Sequence, residues 1–213
     1  MEKKIFISST ERRSGKSLIT IGLINALQGI VPNVGYLKPI GQRYLKESTL
    51  DEDAVIVKKI FNLPDELRDL NPGTMENAQN DRDLLFEKIF NSYDRIASGK
   101  DVIVIEGTDY TSTISALEFD INAELAKNLG APVLLIAKGA GKTIDEIVQT
   151  IGECTESFTE MGCNFLGVVV NRLESQSFRE DTEELCKLLL KKDIHLFGVV
   201  RSDPLLSGPR LNQ

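Results

Sequence analysis

Apolar residues in this chain fall into two kinds of run that follow one another in turn. Six short stretches are nearly continuous in apolar residues: "KKIFISS" (3–9), "NVGYLKP" (33–39), "DVIVIEG" (101–107), "APVLLIA" (131–137), "NFLGVVVN" (164–171) and "IHLFGVV" (194–200). Short continuous runs of this kind mark strands covered on both faces. Between them, Lys16–Gln28, Asp51–Asn62, Asp81–Ala97, Phe119–Leu129, Ile144–Glu160 and Phe178–Leu190 carry apolar residues at helical spacing. The alternation predicts an α/β fold: a doubly wound, mainly parallel sheet with helices on both faces. The loosest stretch, "LRDLNPGTMENAQN" (67–80), is expected to be a surface connection.

Length and charge narrow this picture. A chain of 213 residues is read as one domain over 1–213, enough to bury roughly 70% of its unfolded surface. No repeat, low-complexity tract or domain-sized linker interrupts it. The net charge of −7 argues against nucleic acid or an anionic membrane as the main partner, since both would repel the chain. "MEKKIFISST" has no signal-peptide core, and no apolar stretch approaches the roughly 20 residues of a membrane span. Cys154, Cys163 and Cys186 follow no zinc spacing and are read as reduced thiols, so a cytoplasmic location is expected. His195, the only histidine, is assigned a structural place.

Ligands of such sheets bind beyond the carboxyl ends of the strands. Four of those ends carry polar residues able to converge: the opening loop, Lys38, Glu106 and Asn171. "SSTERRSGKS" (8–17) ends as a phosphate loop does, between a strand and a helix. Gly15 permits close backbone approach, Lys16 supplies a cation for the outer phosphates, and Ser17 offers a hydroxyl to Mg²⁺. Thr10 stands where a first glycine belongs and two arginines fill the middle, and the loop survives if those residues need no positive φ. Arg12 and Arg13 are expected to project outward. The alternative is a charged surface turn. A second match, "AKGAGKT" (137–143), is too short to wrap a phosphate chain, because five residues back from Gly141 lies Ile136, inside the strand. Ordinary helix capping is expected there.

Glu106 ends a buried strand and suits a hard cation, the alternative being an exposed strand-end acid. Asp53 opens a helix, where Asp51 and Glu52 have equal reason to lie. Lys38 offers a second cation against charge on a transferred phosphoryl group, or is a surface lysine. Asn171 offers a donor and acceptor to an adenine edge, or ends its strand in a turn.

"STERRSGKS", "VGYLKPIGQ", "DEDAVIVKKIF", "VIVIEG" and "VVVNRL" occur in this order over nearly the whole chain. In this the chain resembles the dethiobiotin-synthetase-like P-loop family. That family includes dethiobiotin synthetase, cobyrinic acid a,c-diamide synthases and a nucleotide-binding-like domain of phosphotransacetylases. The opening loop and "FGVVRSDPLLSGPRL" look most like the last branch. The resemblance implies a P-loop NTPase-like fold that binds ATP and Mg²⁺. It implies nucleotide contacts from Thr10, Glu11, Arg12, Arg13, Ser14, Gly15, Lys16, Ser17, Leu18 and Asn171. It implies a metal site of Ser17, Asp53 and Glu106, and catalytic work for Lys16 and Lys38. An unidentified small-molecule acid or amine as partner and a homodimer follow from the same resemblance.

The chain departs from dethiobiotin synthetase at "EGTDYTST" (106–113), where Asp109 and Tyr110 replace small glycine-rich residues near the substrate. Arg201 stands where relatives often have proline, a difference expected to change the base pocket. "SDPLLSGPRL" looks like the run-in to a further domain, leaving open a compact molecule or a piece of a longer parent. Two functions are therefore expected: an ATP-dependent ligase or ATPase activating a carboxylate or carbamate, or a non-catalytic nucleotide-sensing module.

Overall fold

A computed structural model describes residues 3–42, 50–109 and 115–203. Its strands are β1 (Lys3–Ser9), β2 (Val34–Leu37), β3 (Ile40–Gly41), β4 (Gly73–Thr74), β5 (Val102–Glu106), β6 (Val133–Lys138), β7 (Phe165–Leu173) and β8 (Leu196–Arg201). Its helices are α1 (Lys16–Gln28), α2 (Glu52–Phe61), α3 (Leu67–Leu70), α4 (Met75–Asn80), α5 (Arg82–Ala97), α6 (Ser115–Asn128), α7 (Ile144–Glu160) and α8 (Phe178–Leu190).

Six strands form one sheet in the order β2-β5-β1-β6-β7-β8, every neighbouring pair parallel. All of β5 and the last four residues of β1 are buried in succession, so both faces are covered, as the continuous apolar runs require. β1 lies inside the sheet with β5 on one side and β6 on the other, Ile7 opposite Glu106 and Leu134. The loop after β1 therefore emerges beside Glu106, and β2 brings Lys38 to the far side of β5.

Helix ends follow the polar residues that cap them. Asp51 accepts from the Asp53 amide at 2.9 Å and Asp81 from that of Leu84 at 3.0 Å, so both acids stand just outside helices expected to contain them. α6 begins four residues before the expected Phe119, because Leu117 also packs on the core. β7 runs past Asn171 to Leu173.

The expectation of a loose surface connection over 67–80 is overturned. That stretch forms α3, β4 and α4, and β4 pairs with β3 in a second, two-stranded sheet. Leu70, Asn71, Gly73 and Ala78 are buried. Elements this short leave no readable period in sequence. Asn71 fixes the segment: its Nδ2 donates to the carbonyls of Lys38 (3.0 Å) and Gly73 (3.3 Å), and its Oδ1 accepts from the Asp51 amide at 3.0 Å.

Candidate functional site: two lysines and a strand-end glutamate

The loop after β1 is held by its carbonyls. Ser14 Oγ donates to Glu11 O at 2.6 Å, Arg172 to Arg13 O at 3.3 Å, and Asn171 Nδ2 to Ser14 O at 2.7 Å. Engaging the carbonyls this way leaves amides: no acceptor among the described residues takes the N–H groups of Arg12 to Lys16. α1 begins without a side-chain cap, its N-cap Gly15 at φ 81°. Uncapped amides at a helix start are what an anion needs. A Cβ on Gly15 would lie 2.2 Å from Asn171 Nδ2, so glycine is required by space as well as by φ.

Thr10 has no positive φ; the left-handed residue among the non-glycines of the loop is Arg13, at φ 57°. The Thr10 amide donates to Ile136 O at 3.0 Å, which ties the loop to β6. Arg12 and Arg13 are exposed, Leu18 is exposed on the first turn of α1, and Glu11 lies half-buried in ion pairs with Lys138 at 3.8 Å and with Lys142.

Glu106 is the centre of the site. It is fully buried, and both ammonium groups reach Oε1: Lys16 Nζ at 3.2 Å and Lys38 Nζ at 3.2 Å. Lys16 also donates to Gly107 O at 2.7 Å and meets Asp109 Oδ1 at 3.1 Å. Lys38 continues to Asp53 Oδ2 at 3.1 Å and Asp51 Oδ1 at 3.7 Å. Tyr36 donates to Glu106 Oε2 at 3.1 Å.

The charges explain each protonation state. Burial would raise Glu106, but Lys38, Lys16 and the hydrogen bonds of Ser17 and Lys38 outweigh it and hold the carboxylate ionised, far below its usual range. Burial would lower Lys38, and Glu106, Asp51 and Asp53 overcome that and raise it above its ordinary value. Burial, then the charges of Glu106, Asp53 and Asp51, push the Tyr36 phenol well up, so it stays a donor. Burial of Asp109 is likewise outweighed by Lys16 and Lys38, and its carboxyl sits below the usual range.

Ser17 Oγ lies 2.9 Å from both Asp53 Oδ2 and Glu106 Oε1. One hydroxyl proton cannot serve two carboxylates at once. Three hard oxygens thus meet at one point, and four carboxylates (Asp51, Asp53, Glu106, Asp109) face two ammonium groups. Among the described residues no group of three or more His, Cys, Asp and Glu suits a metal. The donor set here is two carboxylates and a hydroxyl, which fits Mg²⁺, a cation that keeps several waters.

All four strand ends singled out in sequence come together: Lys16, Lys38 and Glu106 in one ion network, Asn171 against the loop. Among the three acids at the start of α2 the structure gives each a separate place. Asp53 faces Ser17 and Lys38, Asp51 caps the helix beneath Lys38, and Glu52 is half-buried outside the network. Arg201 is exposed, with its guanidinium 4.8 Å from the centroid of the Phe178 ring. Tyr110 lies outside the described residues. No role was expected for Tyr36, Gln42, Asn71 or Arg172, although "VGYLKPIGQ" and "VVVNRL" contain three of them; Asp51 gave a signal as one of three adjacent acids. A separate cavity of about 570 Å³ between α3 and α5, lined by Arg68, Asp69, Lys88 and Arg95 among others, contains none of the network.

A family model described as an AAA domain, AAA_26, matches residues 3–210. The chain belongs to that family. As an AAA_26 P-loop domain it is 28% identical to the phosphate acetyltransferase of Synechocystis over 218 aligned residues, covering 100% of this chain and 31% of that protein. It is 27% identical to the ATP-dependent dethiobiotin synthetase BioD of Methanocaldococcus jannaschii, covering 93% of this chain and 94% of the relative. The AAA_26 chain thus spans about a third of the length of the phosphate acetyltransferases it matches. Among solved structures, a plasmid partition protein of Borrelia burgdorferi bound to AMPPNP shares the fold at TM-score 0.58 and 16% identity, covering 100% of this chain and 92% of that one. A Cyanothece McdA–ATP complex does so at 0.54 and 13%, covering 95% and 84%. Both likenesses concern the fold, a parallel sheet with helices packed on it. No helix among the described residues is long and apolar enough to cross a membrane.

Proposed function

We propose that this domain binds Mg-ATP at the loop after β1 and uses it to activate a carboxylate or carbamate of a small molecule. The observation that carries the reading is the convergence of Lys16, Lys38, Ser17 and Asp53 on the buried Glu106. The free amides of Arg12 to Lys16 cradle the phosphates. Thr10, Glu11, Arg12, Arg13, Ser14 and Leu18 shape the rest of the nucleotide site. Asn171 keeps one N–H and one acceptor lone pair beyond its bonds to Ser14 and Arg172, enough for an adenine edge. Ser17, Asp53 and Glu106 hold Mg²⁺, which when bound neutralises phosphate charge. Lys16 follows the outer phosphates and Lys38 orients the acceptor and offsets its charge. The acceptor carboxylate oxygen forms a bond to the γ-phosphorus while the bond to the β–γ bridging oxygen breaks and ADP leaves. Catalysis is then positioning and electrostatics.

A second reading, a nucleotide-sensing module without turnover, is favoured by two observations. Lys16 is fully engaged by protein oxygens, and the chain matches only a third of the phosphate acetyltransferases. Purified protein with Mg-ATP, alone and with diamino-acid or carboxylate candidates, separates the two when phosphate release and ATP affinity are both measured. Release stimulated by an acceptor supports the enzyme; tight binding without release under every condition rejects it in favour of the sensor.

A further inference from the structure

An ammonium group has three donors, and Lys16 already meets three oxygens: Gly107 O, Asp109 Oδ1 and Glu106 Oε1. A phosphate can gain Lys16 only if one of them lets go. Gly107 is anchored in the sheet by its own amide, 2.9 Å from Ile7 O. Glu106 is fully buried and tied to Ser17, Lys38 and Tyr36. Asp109 alone has a side chain with substantial exposure, 29%, so its carboxylate regains water when released while the other two oxygens would not.

Asp109 is also held from behind. Its amide donates to Gln42 Oε1 at 2.8 Å, and Gln42 Nε2 donates back to Asp109 O at 2.8 Å. Gln42 in turn gives its own amide to Asp51 Oδ2 at 2.8 Å and Nε2 to the buried Glu118 at 3.0 Å. Asp51 caps α2, which carries Asp53. One connected set of bonds thus runs from Lys16 through Asp109 and Gln42 to the helix start that supplies the metal-site acid.

We propose that Asp109 is a latch that competes with nucleotide phosphate for Lys16, with Gln42 as the positioning residue that keeps it closed. The inference rests on the nucleotide reading above and adds regulation of that site: whatever draws Asp109 or Gln42 away raises nucleotide affinity. Titrating Mg-ATP into the full chain tests it. Asp109→Asn is expected to tighten binding about tenfold, the scale of a charged hydrogen bond partly exposed to water. Gln42→Ala changes no charge and is expected to tighten binding about threefold. Tightening by Asp109→Asn without any by Gln42→Ala would mean simple charge repulsion and overturn the latch; wild-type affinity in both variants would overturn it as well. A second readout needs no nucleotide: acylation of Lys16 by an amine-reactive reagent, followed by peptide mass spectrometry. The latch requires faster labelling of Lys16 in both variants with Lys142 unchanged, and equal Lys16 rates reject it. Accelerated labelling together with no ATP binding by any form would leave the contact standing and sink the nucleotide reading instead.

Discussion

Ser14–Ser17 and Ala140–Thr143 present the same order of glycine, lysine and hydroxyl at the start of a helix that follows a strand of one parallel sheet. Their donors go to different places. At the start of α7, Thr143 and Glu146 form a capping box: the Thr143 amide donates to Glu146 Oε2 at 2.7 Å and the Glu146 amide to Thr143 Oγ1 at 3.3 Å. The Gly141 amide donates to Glu174 at 3.2 Å, and Lys142 pairs with Glu11. At the start of α1 the hydroxyl turns away from its own helix toward Asp53 and Glu106, and the amides before it keep no protein acceptor. The two glycines differ as well, since Gly15 is packed against Asn171 while a Cβ on Gly141 would meet nothing within 4 Å. A three-residue motif is therefore a phosphate site only where its neighbours leave the helix start uncapped.

The largest effect expected from breaking this contrast is on the lysines. Lys16→Ala should weaken ATP binding by about a hundredfold, near 3 kcal/mol for a charged contact, while Lys142→Ala leaves it within about twofold. Isothermal titration of both variants decides it, and the reverse pattern would move the site to the second loop.

Next come the glycines. Gly15→Ala meets both the clash with Asn171 and a left-handed backbone, and should cost about 3 kcal/mol of stability in a denaturant titration. Gly141→Ala meets the backbone term alone, about 1 kcal/mol.

The acids sharpen the comparison through pH. Glu106→Gln should cost about 2 kcal/mol at neutral pH, below the roughly 3–5 kcal/mol of an orphaned buried charge, because Asp51, Asp53 and Asp109 still face the lysines. The folded-state pKa of Glu106 lies below its unfolded value. Its stabilisation is thus complete above the ordinary glutamate range near ~4.3 and lost as pH falls through the lowered value. Lys38, raised, behaves oppositely: its contribution is complete below about pH 10 and lost as pH climbs through its folded value. Unfolding curves between about pH 7 and 3 should fall more steeply for wild type than for Glu106→Gln. The exposed Glu146, lowered by its Thr143 hydrogen bonds, should alter that slope little when changed to Gln.

The smallest effect belongs to the cap. Thr143→Ala should remove about 1 kcal/mol of stability with ATP affinity unchanged, checked by thermal melts with and without nucleotide. Weaker ATP binding in that variant would show that the two loops are not independent.

Much of this site was legible in the chain because it rests on local rules. Continuous apolar runs gave six strands, and the polar residues at their ends gave Lys16, Lys38, Glu106 and Asn171. The stretch 67–80 was misread because its elements are too short to show a period, and its order comes from Asn71 bonding to residues far away in sequence. Tyr36 and Gln42 lie within "VGYLKPIGQ", but nothing local in that segment gives either side chain a role. Tyr36 occupies a position that the apolar pattern accounts for fully, and Gln42 acquires its role from a partner 67 residues away.

The sequence by itself determined the parallel sheet, the order of its helices and a lysine-bearing loop at the end of the first strand, because apolar periodicity and turn chemistry act over a few residues. Tertiary structure alone decided which of two similar loops keeps free amides, which of three adjacent acids meets Ser17, and that Asp109 closes on Lys16. Those outcomes depend on oxygens and nitrogens delivered by distant strands, and a charge or a donor has no assigned role until the fold sets what lies within about 3 Å of it.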